Sequence, residues 1–111
     1  MRAILIDPIE KSFTEVDYNG DWKTIYKHLD CDLFDVVFTD FGDIYLDDEG
    51  LMKSDQQFFH IRGMSQPFAG RGLVFGPTDD EGGTTPATIS IEELELQVKF
   101  MTPKKVMEMF S

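Results

Sequence analysis

The sequence predicts an α+β fold: a small antiparallel sheet, one helix after the second strand, and a helix pair at the C-terminus. Short strand-like segments recur through the first two thirds of the chain, one stretch after the second of them has helical spacing, and a capping box opens a further helix near residue 90. The 111 residues are enough for one typical domain and too few for two independent cores, so a single domain over 1–111 is expected. Apolar residues make up 41% of the chain and ten are Phe, enough to offset the entropy lost on folding.

Residues 2–7 are rich in Ile and Leu and stop at Pro8; residues 13–18 set Thr14, Val16 and Tyr18 against Phe13, Glu15 and Asp17. Both read as strands. The short polar link between them makes an antiparallel pair the economical arrangement. Asn19-Gly20 turns the chain. Asp21 then caps a helix in which Trp22, Ile25, Tyr26 and Leu29 fall at i, i+3, i+4 and i+7, with Lys23, Lys27 and His28 towards the other side. His28 sits where it favours the helix dipole.

From Phe34 the period changes to two. Phe34, Val36 and Phe38 share a face, Asp40-Phe41-Gly42 turns, and Ile44 and Leu46 supply a second apolar face. The expected β-hairpin carries Asp35, Val37 and Thr39 beside Asp43, Tyr45 and Asp47 on an exposed outer face. Asp47-Asp48-Glu49-Gly50 is a turn signature that recurs at Asp79-Asp80-Glu81-Gly82, but the flanks do not match as an internal repeat would. Residues 58–61 read as a strand, and Pro67, Gly70 and Gly72 then limit regular structure until Leu73-Val74-Phe75. Residues 78–88, acidic and then rich in Gly and Thr, are expected to form a mobile loop.

In Ser90-Ile91-Glu92-Glu93 the Ser90 hydroxyl can accept from the Glu93 N–H while the Glu93 carboxylate reaches back to the Ser90 N–H. A helix starts there, with Ile91, Leu94, Val98 and Met101 as its buried stripe. Thr102-Pro103 breaks it and opens a short terminal helix over 102–111, whose Val106, Met109 and Phe110 are available to dock or to form a homodimer contact.

Twenty-one acidic residues against ten basic ones give a formal charge of −11. The stretch 30–55 alone holds nine acids (Asp30, Asp32, Asp35, Asp40, Asp43, Asp47, Asp48, Glu49, Asp55) and one base, Lys53. Direct binding of nucleic acid through that surface is disfavoured, although such charge also serves solubility. No apolar run approaches the roughly 18 residues of a membrane span, and the run 3–6 stops too soon for a signal peptide. A single cysteine, Cys31, builds neither an intramolecular disulfide nor a cysteine zinc site, which fits a reducing cytoplasm.

Catalytic signatures are mostly absent: there is no Gly-Lys-Ser/Thr phosphate loop, no His-Glu-x-x-His and no nucleophile elbow. Cys31 has only His28 nearby as a base and reads as a buried thiol. Asp43, Asp47, Asp48 and Glu49 suit a hard cation by residue type but fail the EF-hand spacing and read as a solvated turn. Neither a metal nor another cofactor is expected. The Gly-rich stretch 63–76 places backbone N–H groups near His60, Arg62 and Arg71, and with Gly70 and Gly72 it is the expected place for a small anion.

Five segments, Ala3-Ile4-Leu5-Ile6-Asp7-Pro8, Tyr18-Asn19-Gly20, Phe34-Asp35-Val36-Val37, Asp47-Asp48-Glu49-Gly50-Leu51 and Pro67-Phe68-Ala69-Gly70-Arg71-Gly72-Leu73-Val74-Phe75-Gly76, resemble a phage and mobile-element group, domain-of-unknown-function family 3846, over roughly residues 1–100. The resemblance implies a phage gene product acting in the cytoplasm of a bacterial host, and brings no activity or site residues with it. Two functions are expected from the residues. In the first, Asp35, Asp43, Tyr45, Asp47, Asp48 and Glu49 bind and block a host protein, such as a nucleic-acid-binding or defence factor; alternate strand carboxylates about 6.6 Å apart would imitate phosphates. In the second, His60, Arg62, Gly70, Arg71 and Gly72 hold a small nucleotide-like anion.

Overall fold

The computed structural model describes residues 1–50 and 57–110, the side chain of Phe110 excepted. Leu51, Lys53 and Asp55, which enter the motif and charge readings above, and the docking expected of the Phe110 side chain lie outside that set.

Strands β1 (Arg2–Asp7) and β2 (Ser12–Asp17) pair antiparallel, as their short link requires. A left-handed turn at Gly20 leads to helix α1 (Lys23–Leu29). Asp21 caps it from one residue further out than expected, its carboxylate accepting the Lys23 N–H at 3.0 Å. Strands β3 (Phe34–Thr39) and β4 (Gly42–Asp47) form the expected hairpin. After β5 (Phe58–Ile61) and β6 (Phe68–Ala69), strand β7 (Gly72–Val74) inserts between β1 and β4. The result is one antiparallel sheet of order β2-β1-β7-β4-β3. A second sheet, β6-β5-β8, includes β8 (Val98–Met101), which follows helix α2 (Ile91–Gln97); helix α3 (Pro103–Phe110) is the last described element.

Both faces of the larger sheet are covered, which explains why β1 and β7 are apolar without alternation. On one face Ile25 and Leu29 of α1 pack with Ala3, Tyr18, Leu73 and Phe75. On the other, Ile4, Ile6, Ile44, Leu46 and Val74 meet Phe59 and Ile61 of β5, Leu94 of α2 and Val98 of β8. The molecule is thus layered as α1, the larger sheet, and the smaller sheet with α2. No helix among the described residues is long and apolar enough to cross a membrane.

Two expectations are corrected. The hairpin register pairs Val36 with Tyr45 and Val37 with Ile44, so Val37, Ile44 and Leu46 face the second sheet while Phe34, Val36 and Tyr45 face the α1 side. Tyr45 is stacked between Phe34 and Phe75, with ring centroids 5.4 and 5.2 Å away, and is not the centre of an exposed face. The helix begun at Ser90 stops at Gln97: residues 98–101 are extended and pair with β5, because an edge strand that buries Val98 and Phe100 beside Ile61 and Phe59 outweighs helical spacing. At its start Ser90 accepts the Glu93 N–H at 3.1 Å, and its hydroxyl donates to the Glu93 carboxylate at 3.2 Å.

Candidate functional site: a cationic groove beside the C-terminal helix

The acidic hairpin does not present one continuous acidic face. Asp43 is 6% exposed, and its Oδ2 accepts the Thr78 N–H at 3.0 Å and the Thr78 hydroxyl. This carboxylate anchors the 78–88 loop, which is further tied by Asp79 Oδ1 accepting the Glu81 and Gly83 N–H groups and by the Ala87 N–H donating to Arg2 O. Asp47 is also buried and accepts the Glu49 N–H at 3.0 Å, closing its own turn. Glu49 is half-buried, leaving Asp35 and Asp48 exposed. Among the described residues no group of three or more His, Cys, Asp or Glu is arranged to hold a metal ion.

The residues expected to bind an anion separate into two places. Gly72 pairs with Ile6 on one side and Leu46 on the other, so Arg71 lies next to Asp7 and Asp47. Its Nε is 3.5 Å from Asp7 Oδ2, while Asp7 Oδ1 accepts the Ile9 and Glu10 N–H groups and fixes the turn after β1. Two carboxylate neighbours more than cancel the Arg71 charge, which makes this end of the sheet a poor anion site. The glycines here serve packing: a Cβ on Gly72 would lie 2.8 Å from the Phe59 ring. Gly70 donates its N–H to Gln57 O at the start of β5, whereas Arg62 follows the end of β5. Five strand residues, about 16 Å, therefore keep Arg71 apart from Arg62.

His60 and Arg62 instead meet a different partner. With Phe59 and Ile61 turned into the core, His60 points outward, and the register sets Lys99 of β8 directly beside it. The Arg62 N–H donates to Gln97 O at 2.7 Å, extending this ladder by one bond to the end of α2. Gly63, at φ 90°, then turns the chain so that the His60 Nε2 lies 2.8 Å from Met64 O. A carbonyl only accepts, so Nε2 carries the proton and the ring is held in place. His60, Arg62, Gly63, Leu96, Gln97, Lys99 and Met109 line a groove of about 440 Å³. Its floor is β5 and β8, and its apolar walls come from α2 and α3.

No carboxylate is among these lining residues, and Asp40 lines an adjoining pocket with Arg62, Gly63 and Gln97. The sequence carries the reason: residues 56–78 and 96–107 contain no Asp or Glu, yet hold Arg62, Arg71, Lys99, Lys104 and Lys105, half of the ten basic residues. Four of these, Arg62, Lys99, Lys104 and Lys105, lie on or beside the smaller sheet and α3, whereas Arg71 lies at the end of the larger sheet. Leu96, Gln97 and Lys99 are not singled out by local sequence, and Met109 only as a docking or dimer contact; for the first three the acid-free window 96–107 is the available signal.

The family model for a domain of unknown function, DUF3846, matches residues 1–100. The chain belongs to this family. The DUF3846 match takes in both sheets, α1 and α2, and every groove residue except Met109 on α3. No curated protein and no solved structure matches the chain.

Proposed function

We propose that this DUF3846 protein binds a small, nucleotide-like anion in the groove between the smaller sheet and α3. The observation that supports the reading is the meeting of Arg62, Lys99 and His60 without a carboxylate in a chain of net charge −11. Arg62 and Lys99 are both exposed, so water and salt screen them and each contributes about 0–1 kcal/mol to holding an anion. Leu96 and Met109, exposed on the groove wall, would take an apolar or ring-bearing part of the same ligand, and the Gln97 amide can donate and accept. The role is binding, with Arg62 and Lys99 fixing the charged group and the His60 ring, held by Met64 O, lining the groove beside them.

The first expected function, blocking a phage host's factor by imitating nucleic acid, has less geometric support. It relied on Asp43, Tyr45 and Asp47 facing solvent, and these side chains turn inward. The test is calorimetric titration of the protein with inorganic phosphate and a panel of nucleoside phosphates. Saturable binding that falls at least tenfold in Arg62→Ala/Lys99→Ala and is unchanged in Arg71→Lys supports the groove. Binding that survives the double substitution refutes it.

A further inference from the structure

Strand β3 is the outer strand of the larger sheet, and among the described residues nothing pairs with its free edge. The backbone directions follow from β4. Asp43 exchanges both its main-chain bonds with Phe75, the residue after β7, at 3.2 and 2.8 Å, so its cross-strand neighbour Phe38 must point its own N–H and C=O away from the sheet. The same alternation turns the main-chain groups of Phe34 and Val36 outward. At Val36 the donor is occupied by the adjacent Asp35 carboxylate, which accepts its N–H at 2.8 Å; at Phe38 no side chain among the described residues does this, and Phe38 itself is 71% exposed. An open strand edge bearing an exposed aromatic is a template for strand addition.

Charge selects the occupant. Residues 28–52 contain eight acids, Asp30, Asp32, Asp35, Asp40, Asp43, Asp47, Asp48 and Glu49, and no Lys or Arg; of these Asp32, Asp35 and Asp40 are exposed beside or on β3. A second copy of this chain added along the same edge would set like charges against each other. We propose that the β3 edge takes an extended, lysine- or arginine-rich segment of a partner protein, which adds as a further strand, pairs with the outward main-chain groups of Phe38, and displaces the Asp35 carboxylate from Val36 onto its own cations. The Asp40 end of this edge adjoins the cationic groove, since Phe38 and Asp40 line one pocket with Arg62, Gly63 and Gln97.

The test uses the full chain and a terminally blocked hexapeptide alternating lysine and valine, with the glutamate and valine hexapeptide as control, followed by backbone amide shifts and fluorescence anisotropy. The expected result is saturable binding of the basic peptide alone, with shifts centred on residues 34–38. Phe38→Pro removes the outward donor without cutting a β3–β4 bond, and should weaken binding at least tenfold more than Phe38→Ala, which removes only the ring. The exposed pair Asp35→Asn/Asp40→Asn, which leaves the fold intact, should weaken it several-fold, and Lys99→Ala, outside the pocket that Phe38 and Asp40 line, should leave it unchanged. Absence of saturable binding, equal binding of the acidic peptide, equal effects of the two Phe38 substitutions, or indifference to the Asp35 and Asp40 pair would each overturn the proposal.

Discussion

Replacing Asp43 by alanine removes a carboxylate that accepts two bonds from Thr78 in a nearly closed environment. Hydrogen bonds to a charged group contribute about 1.5–3 kcal/mol each, but Thr78 is exposed and its freed N–H and hydroxyl regain water, so the low end applies. We expect a loss of about 3 kcal/mol, and a fall in Tm on the order of 10 °C for a domain of this size. Asp43→Asn keeps one accepting oxygen and should cost about 1 kcal/mol. The exposed Asp48 is the reference: Asp48→Ala should stay within about 0.5 kcal/mol of the parent. Urea unfolding followed by circular dichroism measures all three. If Asp43→Ala costs no more than Asp48→Ala, Asp43 is an ordinary surface carboxylate and its anchoring of the 78–88 loop is wrong.

At Gly42 the backbone has φ 142°, and an added Cβ would lie 2.0 Å from Phe75 O, so Gly42→Ala should cost at least about 3 kcal/mol and sharply reduce the yield of folded protein. Ser90→Ala removes the side-chain acceptor for Glu93 N–H and should cost about 1 kcal/mol by denaturant unfolding. Burial raises the Tyr18 pKa above the ordinary phenol value of 10.0, and repulsion from Tyr45 and Asp21 adds to it. The unfolded chain therefore loses this proton first: the Tyr18 contribution is complete below pH 10.0 and declines as pH rises through the higher folded value. Stability measured across that window should fall less steeply in Tyr18→Phe, and an unchanged slope would contradict the assignment.

The elements legible in the sequence are those with local causes. Asn19-Gly20, the Ser90 box and the Thr102 cap each set their own boundary, and Thr102 Oγ1 does accept the Lys105 N–H at 3.2 Å. The α+β class and the β1–β2 and β3–β4 pairs followed from period and link length. Elements fixed by distant partners were not legible. Residues 72–74 show nothing locally of their place between β1 and β4, and residues 98–101 fit a helical stripe until β5 supplies a neighbour. The same cause divided the expected anion loop. His60 and Arg62 were singled out, but Lys99 reaches His60 only through the β5–β8 register, and Arg71 is drawn to Asp7 by the β1–β7 register. The inward turn of Tyr45 likewise depends on Phe75, a residue thirty positions away.

The central claim is that the anion site lies where the smaller sheet meets α2 and α3, and not at the Gly70-Arg71-Gly72 turn. Backbone amide shifts recorded during titration with a nucleoside monophosphate locate the ligand directly. The account predicts saturable shifts at residues 60–64 and 96–99, with residues 70–72 and 7–10 unmoved. Shifts centred on residues 70–72, or none in either region, would contradict it.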